Sequence, residues 1–163
     1  MIEGNHGHFV WFEHMTKDTA AAVAFYGDVA GWTTQPFGDD YQMWVGGQGP
    51  LGGLVELPAA AAAMGVPPNW MGHVQVLDVD ATVARAGELG GKLHHGPIDI
   101  PTVGRFAVLA DPQGAIFSVF APVGDMARHD GSKDGEFCWN ELMTSDSAAG
   151  YAFYAALLGW KTQ

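Results

Sequence analysis

Cysteine occurs once, at Cys138, so neither a disulfide framework nor a thiolate-based zinc site can be built within this chain of 163 residues. Basic residues are scarce. Seven Lys and Arg stand against 18 Asp and Glu, a formal net charge of -11 spread along the chain. Nucleic acid and anionic membrane surfaces both require basic patches, so the expected partners include neither. No stretch approaches the roughly 18 apolar residues of a membrane-spanning helix. The start, Met1 to Phe9, lacks the basic residues and apolar run of a signal peptide, which gives a cytoplasmic expectation. There is no Gly-x-Ser-x-Gly nucleophile motif. The pairs Gly46-Gly47 and Gly52-Gly53 lack the Lys and following helix that a phosphate loop needs. What remains is 48% hydrophobic and only 15% charged, the composition of a folded domain with a sizeable core.

The chain repeats itself. Residues 7–35 (GHFVWFEHMTKDTAAAVAFYGDVAGWTTQ) and 135–163 (GEFCWNELMTSDSAAGYAFYAALLGWKTQ) agree at 16 of 29 positions at a constant offset of 128. Trp11/Trp139, Glu13/Glu141, Asp18/Asp146 and Gly31-Trp32/Gly159-Trp160 are among the matches. Residues 122–134 read as a polar, turn-rich linker. The second copy, 135–163, covers only a first strand and a helix, which cannot bury their own apolar face. Phe137, Trp139, Phe153, Tyr154 and Trp160 therefore need cover from the first domain or from another chain. The expectation is a piece of a longer two-domain protein that forms a homodimer or a swapped assembly through its truncated copy.

Phe9, Trp11 and Glu13 alternate with Val10, Phe12 and His14, the period of a strand with two distinct faces. Thr16 or Asp18 can cap the helix that follows, with Asp18 just before the Ala-rich run; Gly31 stops that helix, and Ala22, Phe25, Tyr26 and Val29 share one helical face. Strands follow at about 33–37, 42–45 and 54–57, separated by turns at Gly38-Asp39-Asp40 and at the Gly-Gly pairs. The same order recurs: a strand at 71–77, a helix at 79–89 capped by Asp78, and strands at about 92–95, 105–110 and 115–120. The last two strands join through Asp111-Pro112-Gln113-Gly114. The fold class is α+β, with two βαβββ modules (about 7–58 and 70–121) in one domain, 7–121, forming a curved sheet around a cavity.

These residues resemble a known superfamily. The patterns TxDxxxAxxFYxxxxGW, VxDVDA…GG and GRFAVLADPQGAIFSVF are similar to those of the glyoxalase/bleomycin resistance/dioxygenase proteins, the vicinal oxygen chelate superfamily, in its tandem-domain glyoxalase-like branch. The resemblance implies a small-molecule protein, either a lyase, isomerase or oxygenase or a non-catalytic, drug-sequestering binding protein. It also implies a divalent metal (Zn, Ni, Fe or Mn) held on the first and last strand of each module and acting as Lewis acid and template. Here those positions fall on Trp11, Met71, Ser118 and the region 53–56. None of Trp11, Met71 and Ser118 is an ordinary ligand for such an ion.

A displaced set keeps the parity of those positions. Glu13 lies two residues beyond Trp11 and His73 two beyond Met71, so Glu13, His73 and Glu56 form the candidate metal set, with Glu13 and His73 also candidate acid–base residues. The bland readings are a carboxylate bonded to pocket-lining donors and a pocket-wall imidazole. Arg105 would orient a substrate; its alternative is an ion pair with Asp99 or Asp111. Trp11, Trp44, Met71, Ser118 and Phe120 are the candidate ligand-binding residues, with plain core as the alternative for the aromatic ones. His14 has the opposite parity to Glu13 and belongs by the helix layer. His94 and His95 point to opposite strand faces, and His6 and His8 lie in a solvated Gly-rich start.

Overall fold

The computed structural model describes residues 2–38 and 41–161, so Asp39 and Asp40 of the expected Gly38-Asp39-Asp40 turn lie outside the described residues. Among the described residues a short 3-10 helix (Ile2–Asn5) is followed by eight strands and four α-helices in chain order. They are β1 (Phe9–Thr16), α1 (Thr19–Ala30), β2 (Thr33–Pro36), β3 (Gln42–Gly46), β4 (Gly49–Glu56), α2 (Ala59–Ala63), β5 (Asn69–Gln75), α3 (Val79–Glu88), β6 (Lys92–Ile100), β7 (Gly104–Ala110), β8 (Ile116–Pro122) and α4 (Ser147–Leu158). The architecture is α+β with two βαβββ modules. No helix among the described residues is long and apolar enough to cross a membrane.

Helix ends follow the sequence closely. Asp18, Asp78 and Asp146 each accept a hydrogen bond from the backbone N–H three residues on, the geometry of an N-cap. Gly31 and Gly159 close α1 and α4 with φ of 70° and 75°, a left-handed conformation that glycine adopts without a Cβ clash.

The chain divides into two compact units. One comprises Trp11–Met71 and His129–Asn140. Its strands run in the order β2-β3-β4-β1, with β1 and β4 parallel and the other pairs antiparallel. On one face Ala22, Trp32, Trp44, Leu51 and Leu54 form a core, with Tyr26, Trp70 and Phe137 packed against it. The helical stripe is narrower than its sequence suggests: Ala22 and Tyr26 pack inward, while Phe25 and Val29 are exposed at 57% and 68%. Strand β4 begins five residues before the sequence places it. Gly52 and Gly53 lie inside the strand rather than in a turn, because a Cβ at either would strike a neighbour, the Phe12 carbonyl and the Tyr41 hydroxyl respectively.

The other unit comprises Met1–Val10, Gly72–Arg128 and Glu141–Gln163, with strands in the order β5-β8-β7-β6. Val74, Val76, Ala107, Leu109, Phe117 and Val119 face α3 and α4, which contribute Val79, Ala86, Phe153, Tyr154 and Leu158 to the same core. Asp111 is buried, and its Oδ1 accepts from the amides of Gln113 and Ala115 while its Oδ2 accepts from the Tyr154 hydroxyl at 3.2 Å. Strand β6 runs on to Ile100, past the expected end at His95, through register shifts on either side of His95.

Four of the five aromatic residues of the second repeat that need cover, Phe137, Phe153, Tyr154 and Trp160, find it within this chain. Phe153 and Tyr154 are core residues, Trp160 packs against the same core, and Phe137 stacks on Phe12 at 3.7 Å. Only the helix of that repeat forms, because residues 136–143 take no strand conformation, and Trp139 remains 78% exposed.

Candidate functional site

Strand β1 alternates between two environments. His14 turns toward the core, stacked on Trp70 at 4.5 Å with Tyr26 edge-on, and burial lowers its pKa. Trp11, Glu13 and Met15 take the opposite face. Glu13 stands opposite Gly53 of β4, and Gly53 opposite Met43 of β3, so these positions share that face.

Glu13 puts a desolvated carboxyl on this face. Desolvation by burial raises its pKa, and the hydrogen bond from Tyr41 opposes that rise only in part. The Tyr41 hydroxyl donates to Glu13 Oε2 at 3.1 Å and accepts from Trp11 Nε1 at 2.9 Å. Burial, and then the nearby Glu13 charge, push the Tyr41 phenol far up, so it is an O–H donor at any physiological pH. Sequence reasoning missed Tyr41. Its available signal was the pair Gly52-Gly53 inside an otherwise apolar run, a mark of close approach by another group.

The remaining candidates separate. Glu56 is exposed and stands three positions beyond Gly53, on the other face of β4 from Glu13, so these two carboxylates do not meet. Trp44 is a correction to the pocket reading. It is fully buried in the core with Trp32 and Leu54, because its partner in the ladder is Gly52, whose parity is that of the core face. Met71 is half-buried at the end of the first unit.

In the second unit His73, Ser118 and Phe120 do share the face away from α3 and α4, with Phe106 and Val108. The His73 ring is 7% exposed, and burial lowers its pKa to about 4, so it is a neutral imidazole. Its Nε2 makes no hydrogen bond among the described residues. The Ser118 hydroxyl is spent on the Ala107 carbonyl at 3.1 Å. Arg105 takes the opposite face. Its guanidinium holds both oxygens of Asp80 at 2.8 and 3.0 Å and Asp99 at 2.9 Å. The ion-pair reading therefore describes Arg105, with Asp80 of α3 as the partner that the sequence did not suggest, and Asp111 committed to its own turn. His94 and His95 are both exposed on β6, as are His6 and His8 near the start.

Residues 10–120 match the glyoxalase-like domain family. The chain belongs to that family. Its fold is that of the vicinal oxygen chelate superfamily. Over 120 residues this glyoxalase-like chain is 43% identical to the Mycobacterium tuberculosis (strain CDC 1551 / Oshkosh) protein named "Putative glyoxylase CFP32", a match covering 71% of this chain and 44% of that protein. It is 30% identical over 166 residues to the anthracycline biosynthesis protein DauV of Streptomyces sp. (strain C5), covering 91% and 59% of the two chains. Among solved structures it resembles the Mn(II)-bound glyoxalase from Novosphingobium aromaticivorans, with a TM-score of 0.65 at 19% identity over 96% of this chain and 54% of that one. The chain thus spans about half the length of the curated relatives it matches.

The divalent ion that the superfamily implies does not fit the donors present here. Among the described residues no group of three or more His, Cys, Asp or Glu side chains is placed to hold a metal ion. Of the positions where the resemblance would put ligands, Trp11, Met71 and Ser118 carry an indole, a thioether and a hydroxyl already bonded to a backbone carbonyl, and in the region 53–56 the one carboxylate, Glu56, lies on the other face of β4 from Glu13.

Proposed function

We propose that this glyoxalase-like chain handles a small organic molecule on the sheet face that carries Glu13, with the Glu13 carboxyl as its acid–base group. The observation that supports this is a desolvated carboxyl on the face opposite the core, bonded among the described residues only through Oε2. A carboxyl whose pKa is raised exchanges protons closer to neutral pH than an exposed one does, which suits proton transfer next to a carbonyl, the chemistry of isomerases and lyases. Trp11 and Met43 on the same face would supply apolar contact area.

A second reading, binding without turnover, is favoured by the indole and thioether at Trp11 and Met71. The likeness to a protein named for anthracycline biosynthesis is in keeping with a planar aromatic ligand. One experiment separates the readings. Small carbonyl compounds and planar aromatics are screened by tryptophan fluorescence and for conversion, on wild type and Glu13→Gln, with metal content measured by elemental analysis. We expect a ligand that wild type binds and converts, with conversion lost in Glu13→Gln. Binding without conversion in wild type selects the second reading. Identical behaviour of the two proteins toward every ligand removes Glu13 from the site. Near-stoichiometric metal, lost in both Glu13→Ala and His73→Ala, would restore the metal centre expected from the superfamily.

A further inference from the structure

The Tyr41 hydroxyl has a defined polarity. An indole N–H can only donate, so the 2.9 Å bond from Trp11 Nε1 makes Tyr41 an acceptor on that side. Its own hydrogen is left for Glu13 Oε2, 3.1 Å away, the one acceptor for it among the described residues. Oε2 is thus occupied from the protein side, and Glu13 Oε1 makes no hydrogen bond among the described residues. The arrangement depends on a missing side chain: a Cβ at Gly53, the residue opposite Glu13 in the β1–β4 ladder, would stand where the Tyr41 hydroxyl is.

We infer that Tyr41 is a positioning residue, oriented by Trp11 and admitted by Gly53, that fixes Glu13 through Oε2 and leaves Oε1 as the oxygen that meets a ligand. Ligands carrying an O–H or N–H at that point are recognised, and anions are disfavoured there. The hydrogen-bond chain stands on the geometry alone. The ligand preference rests on the function proposed above.

The test reads the indole N–H of Trp11 by hydrogen exchange in ¹⁵N NMR, its resonance assigned by loss in Trp11→Phe. Exchange is expected to quicken by about tenfold or more in Tyr41→Phe, where the acceptor is removed. It should also quicken in Gly53→Ala, although residue 53 bonds to neither group. Glu13→Gln should keep the wild-type rate, because the amide carbonyl still accepts from Tyr41. The buried Trp44 serves as the folding control, since its indole resonance stays in place if the core is intact. Unchanged Trp11 exchange in both Tyr41→Phe and Gly53→Ala overturns the inference. The ligand preference is read with 1-naphthol against 1-methoxynaphthalene, which lacks the donor. Wild type should favour the naphthol, and Tyr41→Phe should narrow the difference. If neither compound binds while exchange behaves as expected, the preference for these donors fails, the positioning device stands, and the proposed function is decided by its own ligand screen.

Discussion

His73 carries the clearest pH signature of any single residue. Its imidazole is enclosed and desolvated, which holds its pKa at about 4 against an ordinary 6.5. The unfolded chain takes up the proton first as pH falls, so the stability associated with neutral His73 is complete above 6.5, is lost progressively toward 4, and is flat below. Between pH 7 and pH 5 this one group should remove about 2 kcal/mol. Urea unfolding of wild type and His73→Gln at both pH values checks it: the gap between the two proteins should shift by that amount, and a constant gap contradicts a buried neutral imidazole. Parity alone located His73 and Glu13 on the faces away from the cores. The neighbours that set their protonation were not legible, because Tyr41 reaches Glu13 across 28 residues of sequence. Arg105 shows the reverse case. Its scarcity made it conspicuous, yet Asp80 and Asp99 already occupy its guanidinium.

At the scale of elements, one contact occurs twice. In one unit Trp32 Nε1 donates to the Gly135 carbonyl at 2.6 Å, and in the other Trp160 Nε1 donates to the Gly7 carbonyl at 2.6 Å. Gly7 and Gly135 have φ of 76° and 75°, and an added Cβ would come within 2.8 Å of the Leu158 and Ala30 carbonyls respectively. The repeat at offset 128 is therefore expressed as a recurring latch between a helix C-terminus and the start of the other copy. Gly7→Ala and Gly135→Ala should each destabilise by on the order of 1–3 kcal/mol, through left-handed strain and the carbonyl clash. Chemical denaturation measures this, and a neutral Gly135→Ala would mean that the latch carries no stability. The repeat and its capping residues were readable because caps act over three or four residues. The cross-copy hydrogen bonds were not, because no local pattern says which copy a Trp will reach.

For the molecule as a whole, α4 belongs to a core built mainly by residues 74–119, the middle of the chain. Phe153, Tyr154 and Leu158 are buried with strands β5, β7 and β8, and Gln113 holds the start of α4 through Thr144, Ser145 and Asp146. Phe153→Ala leaves a void beside Phe117 and should cost about 3–5 kcal/mol, with a matching fall in the thermal midpoint. A loss below 1 kcal/mol would show that α4 is loosely attached. The sequence marks this helix as apolar on too many sides to stand alone. It does not say which strands receive it.

The α+β class, the two βαβββ modules, the Asp caps of the long helices and the alternation of residues along each strand were all legible in the amino-acid order. All of these follow from periodicity and from interactions a few residues long. Tertiary structure alone decided that Trp44 is core and Trp11 is not, that Arg105 answers to Asp80, that Gly53 makes room for Tyr41, and that the second repeat's helix is covered by this same chain. Each of those outcomes depends on strand register or on long-range packing, where a one-residue shift exchanges the two faces of a strand and no local signal fixes the partner.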